Sequence, residues 1–246
     1  MTNVSVTESQ RQAARIAGLA YVFAILYVPV YLLTSAGLTV ANDPVATLAN
    51  VQANPLLFRI GIASTLLMFV SVFVLIAALY ATVAPINRNL ALLGLLLRMP
   101  EATLGLVSVA FSIVISQLAS SGASVAGYAP QLVQLALSGG SAAGSLNLIF
   151  MALGSLPFLY LFWTARYAPR ALVGFGMLTY VLALASAFAS ILAPGSAVDG
   201  MQMVLVAPVM VFELVFGLWL TIKGIGVPLV ERASNRTQVR AAGVMS

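Results

Sequence analysis

Pro85-Ile-Asn-Arg-Asn-Leu-Ala-Leu-Leu-Gly-Leu-Leu-Leu-Arg98-Met-Pro100-Glu101-Ala-Thr-Leu-Gly-Leu106 begins at a polar turn, climbs into an apolar helix and sets Arg98, Pro100 and Glu101 in its middle. At a helical rise of about 1.5 Å per residue, Glu101 lies roughly 15–18 Å from the turn, the midplane of a hydrocarbon slab about 30 Å thick. Ionisable groups at that depth are expensive and mark a pathway, a ligand or a structural pair.

The rest of the chain agrees with a bilayer as solvent. Hydrophobic residues make up 61% and charged residues only 7%, against about a quarter charged in soluble domains. Without Cys there are no disulfides, thiolate chemistry or iron–sulfur ligation, and without His the commonest metal ligand and general base is missing. Six carboxylates, mostly scattered, do not make a metal cage. No metal and no cofactor are expected. The net charge of +5 suits basic residues gathered on one membrane face, and nucleic-acid binding is not implied. No Gly-rich phosphate loop or serine nucleophile motif points to ATP-driven transport or conventional hydrolysis.

Outward from Pro85, the expectation is an all-α polytopic bundle of six transmembrane helices with two short extracytoplasmic surface helices. The spans fall at about 16–36, 56–84, 90–118, 144–164, 171–193 and 201–222, within a domain covering 15–225. Residues 1–14 form an N-terminal cytoplasmic segment, in which Thr7 and Gln10 have capping-box spacing, and 226–246 a basic cytoplasmic tail. Asp43-Pro44 starts the first short helix, as N-cap and first helical residue. Pro130 starts the second, ended by Ser138-Gly139-Gly140. Pro194-Gly195 breaks the fifth span.

Arg11, Arg15, Arg88, Arg166, Arg170, Lys223, Arg232, Arg236 and Arg240 all fall on one side, with Asp43, Asp199 and Arg59 on the other. The positive-inside rule puts both termini in the cytoplasm of an inner-membrane protein. Tyr80, Trp163, Tyr167 and Trp219 sit where an inner aromatic belt belongs.

Several segments resemble a bacterial family of multi-span membrane proteins known only as a domain of unknown function, DUF4386. They are Arg11-Gln-Ala-Ala-Arg-Ile-Ala-Gly-Leu, Leu57-Phe-Arg-Ile-Gly-Ile, the turn from Pro85, Arg98-x-x-Glu101-Ala, Tyr167-Ala-Pro-Arg170, and Glu213 with Trp219 and Lys223-Gly224. The resemblance spans about residues 11–225 and implies the six-span layout and the same charged positions. It brings no activity.

Glu213 lies ten residues before Lys223, roughly 15 Å from the inner end of its span. Arg98, Glu101 and Glu213 therefore share a depth, and the Tyr180 hydroxyl reaches it from the fifth span. Arg98 and Glu101, three apart, can pair. Pro100 frees carbonyls for a ligand, a water or Arg98. One Arg against two Glu leaves one carboxyl able to hold or release a proton. Arg59, in the outermost turn of its span, is placed to meet an anionic headgroup or to pair with Asp43.

Glu101-x-x-x-Gly105-Leu106 and Glu213-x-x-x-Gly217-Leu218 share a pattern suggestive of inverted halves, although Ala84-Pro85 and Ala168-Pro169 fall out of register with it. Small residues at four-residue spacing, Ala183 with Ala187 and Ser186 with Ser190, suit close helix packing. Three functions stay open: a carrier or binder of a small amphiphile using Arg98, Glu101, Glu213 and Tyr180; a membrane enzyme using the carboxyls on a lipid or isoprenoid; and a structural or regulatory protein without substrate. The expected partners are the lipid bilayer and, for the first two, a small amphiphilic ligand.

Overall fold

The computed structural model describes residues 6–121, 127–193 and 197–226. Among them are seven α-helices and no strand: α1 (Glu8–Tyr31, continued by a π-type turn, Leu32–Ala36), α2 (Pro44–Ala53), α3 (Pro55–Val83), α4 (Arg88–Ser120), α5 (Ala129–Ala165), α6 (Arg170–Leu192) and α7 (Ala197–Ile222). The tail arginines and Pro194-Gly195 lie outside the described residues, as does the side chain of Asp199.

Local signals set the helix starts. Thr7 Oγ1 accepts from Gln10 N at 3.2 Å, and Gln10 Oε1 accepts from Thr7 N at 3.0 Å, a capping box from which α1 runs unbroken into the first apolar stretch. The Asp43 carboxylate accepts from Ala46 N at 2.9 Å, with Pro44 next in the chain. The Asn87 side chain accepts from Leu90 N at 3.1 Å and so starts α4.

Five helices (α1, α3, α4, α5 and α6) are long and apolar enough to cross a membrane, and α7 adds the apolar stretch Val206–Ile222. This is the make-up of a multi-pass membrane protein. The long helices pack in chain order, α1 on α3, then α4, α5, α6 and α7, and α7 returns to α1. The result is a closed up-and-down ring with α2 seated on α3, α4 and α5 at one end. The ring closes where a Cβ on Gly18 would fall 2.6 Å from the Gly217 carbonyl oxygen and the Thr221 amide nitrogen. Only glycine lets the first and last helices approach this closely. Gly105 meets Phe69 of α3 while Gly217 meets Tyr21 of α1, so the repeated Glu-x-x-x-Gly-Leu pattern does not mark equivalent contacts.

The expected second short helix is corrected. From Ala129 to Ala165 the chain is one helix, and the predicted break at Ser138-Gly139-Gly140 is absent. The glycines serve packing instead: the Phe111 ring of α4 occupies the place of a Gly139 Cβ, and Ser108 Oγ donates to the Gly140 carbonyl at 3.2 Å. On α6, Ala183, Ser186 and Ala187 are buried within the bundle, so the small-residue spacing serves intramolecular contact.

At the end carrying the N-terminus, Gln10 Nε2 donates to the Thr82 carbonyl at 3.1 Å and to the Tyr167 hydroxyl at 3.3 Å. Tyr167 is thus a buried latch between α1, the end of α3 and the α5–α6 turn, in place of a belt residue. Burial pushes its phenol above the ordinary value. Its contribution is therefore complete below the unfolded value of about 10 and fades as pH rises through the higher folded one. Gln10→Leu is expected to lower stability by about 1–3 kcal/mol, because buried polar groups lose their partner. The melting temperature in detergent reads this, and an unchanged value would show the latch to be dispensable.

Candidate functional site

Five of the six ring helices, all but α3, contribute a polar side chain to one set of contacts near mid-height. From α4, Arg98 Nε donates to Glu101 Oε2 at 2.7 Å and Nη2 donates to Oε1 at 2.9 Å, a two-pronged pair with Arg98 1% and Glu101 4% exposed. The i, i+3 spacing makes the pair local. Its surroundings are not local. Arg98 Nη1 donates to the Tyr21 hydroxyl of α1 at 3.2 Å, and Asn147 Nδ2 of α5 donates to the Glu101 backbone carbonyl at 2.6 Å.

A notch in α5 accommodates the arginine. A Cβ at Gly154 would overlap Arg98 Cγ and fall 2.7 Å from the Arg98 backbone nitrogen. The guanidinium stem thus lies where any other residue of α5 would put a side chain.

The other half of the centre joins α6 and α7. The Tyr180 hydroxyl donates to Glu213 Oε1 at 2.7 Å. Tyr21 and Tyr180 interact with each other, and the Glu213 carboxyl lies near enough to Arg98 for an electrostatic interaction. Glu101–Arg98–Tyr21 and Tyr180–Glu213 are thus neighbouring pieces of one polar layer. The pieces differ in kind: Arg98–Glu101 is the one ion pair among the described residues, and Glu213, half-buried, has no cation in salt-bridge contact.

Toward the N-terminal end, an aromatic plug seals this layer. Phe162 and Phe212 each lie 5.1 Å from Phe216 between ring centroids, Tyr21 lies 5.9 Å from Phe216, and Tyr180 5.8 Å from Phe212. Toward the α2 end there is room. A cavity of about 270 Å³ is lined by Thr65, Ser108, Ser112 and Ser141 together with apolar groups such as Phe58 and Ile115. Ser108 is seven residues beyond Glu101 on α4, which puts the cavity roughly 10 Å above the ion pair. The Phe69 ring, packed against Gly105, lies between the two levels.

Of the residues expected at the centre, Arg98 contacts Glu101, and Tyr180 contacts Glu213. Arg59 stands apart, exposed near the start of α3, and its expected pairing with Asp43 is not formed: that carboxylate caps α2. Tyr21 and Asn147 escaped the sequence reading. Asn147, a lone amide in an apolar run, carried a signal; Tyr21 carried none.

A family model described as "Domain of unknown function (DUF4386)" matches residues 16–224. No curated protein and no solved structure matches the chain.

Proposed function

The chain belongs to the DUF4386 family, and we propose that it is a six-span protein of the inner membrane that binds a small amphiphile, exchanging a proton on Glu213 as it does so. The closed ring supports counting α7 as the sixth span. Exposed Arg11, Arg15, Arg88, Arg166, Arg170 and Lys223 gather at the end carrying the N-terminus, against Asp43 and Arg59 at the other. That supports cytoplasmic termini, with α2 on the outer face. The hydroxyl-lined cavity on the α2 side suits a molecule with polar and apolar parts.

One observation carries the proton reading. Glu213 is half-buried in the polar layer, with a phenol as its hydrogen-bond partner and no ion-pair partner among the described residues. A carboxyl held this way can change protonation without stranding a buried cation. The Arg98–Glu101 pair lacks that freedom and acts as an interhelical post, which favours a structural role for that half.

Glu213→Gln separates the roles, since the amide oxygen keeps the Tyr180 hydrogen bond. Infrared titration of protein in nanodiscs is expected to reveal one carboxyl band in wild type that the variant loses, with melting unchanged. Native mass spectrometry of the purified protein is expected to find a co-purified amphiphile whose occupancy depends on pH in wild type and not in Glu213→Gln. Equal pH dependence in both, or an empty wild type, would overturn the reading.

A further inference from the structure

A second polar feature lies at the α2 end, well away from the buried centre. Arg59 lies four residues into α3, roughly 6 Å from the helix start, at headgroup depth if α3 spans a bilayer. Two crevices meet at its side chain. One, of about 430 Å³, is lined by Arg59, Ile62, Ile113, Ser116, Gln117 and Ser120. The other, of about 320 Å³, lies under the end of α2 and is lined by Arg59, Ser116, Ser120 and Gln52. Gln52 Nε2 donates to the Ala119 carbonyl at 3.2 Å, which ties α2 to α4 and builds the wall between them.

The lining has the polarity of a lipid interface. Arg59 forms no ion pair among the described residues, and serine hydroxyls of α4 stand opposite it. Next to this polar end, the apolar side chains Ile62 and Ile113 continue one wall toward mid-membrane. Ile62 also lines the hydroxyl-bearing cavity walled by α3, α4 and α5, so the crevice and the cavity share a wall.

We propose that this crevice binds a net-anionic phospholipid of the outer leaflet, its headgroup on Arg59 between α3 and α4 and its acyl chain along Ile62 and Ile113. The charge of the site chooses the occupant. The phosphodiester of either headgroup class can accept two parallel N–H bonds from Arg59, but a zwitterionic headgroup brings its own cation, which the guanidinium repels, so the net-anionic one is favoured. The site does not depend on whether Glu213 exchanges a proton.

The test uses full-length protein in detergent, titrated by native mass spectrometry with phosphatidylglycerol or phosphatidylcholine of one short chain length. Wild type is expected to bind the anionic lipid about tenfold more tightly, the scale of one charge-assisted contact. Arg59→Gln is expected to abolish that preference, Arg59→Lys to keep part of it, and Glu213→Gln to keep all of it. Arg59 is exposed and without a salt bridge, so melting without lipid is expected to be the same in Arg59→Gln. Inorganic phosphate is expected to compete poorly with the lipid. A wild type without preference, or a preference surviving in Arg59→Gln, would overturn the proposal. So would displacement of the lipid by inorganic phosphate alone, which would reveal a free-anion site.

Discussion

Glu101→Gln is expected to damage the bundle more than removal of Arg98 itself. Arg98 is 1% exposed and cannot shed its proton. With Glu101 neutral, a full positive charge stays in the ring interior, hydrogen-bonded only to the Tyr21 hydroxyl and an amide oxygen, and the Glu213 carboxyl near it is beyond salt-bridge contact. Removing one partner of a buried pair costs about 3–5 kcal/mol. Arg98→Met leaves a carboxyl, and a carboxyl can neutralise itself by taking up a proton. The expected order of melting temperatures in detergent is therefore wild type, then Arg98→Met, then Glu101→Gln. The double variant should recover to at least the Arg98→Met level, because no buried charge remains. If Glu101→Gln melts as high as Arg98→Met, the guanidinium reaches water or a headgroup by a route past Tyr21, and the post is not sealed.

This asymmetry explains what could be read from the chain and what could not. Charge in an apolar run is a strong signal because its cost depends on the solvent alone, so Arg98, Glu101 and Glu213 stood out at once. Helix starts were legible too, since Thr7 and Asp43 act on amides three residues away. Ser138-Gly139-Gly140 misled for the opposite reason. Two glycines after a serine are a turn signal to the local backbone, but here the Phe111 ring of another helix fills the space they leave. Tyr21 was illegible because a tyrosine in an apolar span looks like any other large residue. It becomes a partner of Arg98 only because the long arginine side chain reaches from α4 to α1 across the ring interior, 77 residues apart in sequence. Gln10 is the same case: a capping residue by its neighbours, a three-way latch by its long-range contacts.

Gly154→Val is expected to have the second large effect, about 3–5 kcal/mol, from overpacking together with loss of the buried pair. The obstruction at Gly154 is not a flexible tip. A Cβ there meets the Arg98 stem, its backbone nitrogen at 2.7 Å and the Gly94 carbonyl oxygen at 3.0 Å. Either the α4–α5 seam opens or Arg98 leaves Glu101. Gly94 faces the same seam with more slack, since its Cβ would lie 3.3 Å from the Gly154 carbonyl oxygen and the Phe158 ring. Gly94→Ala should therefore melt well above Gly154→Ala. A double-mutant cycle then tells packing from electrostatics. If Gly154→Ala acts by pushing Arg98 off its carboxylate, adding Glu101→Gln should cost far less than in wild type, because the stranded charge is already present. Strict additivity would mean that Gly154 sets only the helix spacing, and that the arginine keeps its partner even when the notch is filled.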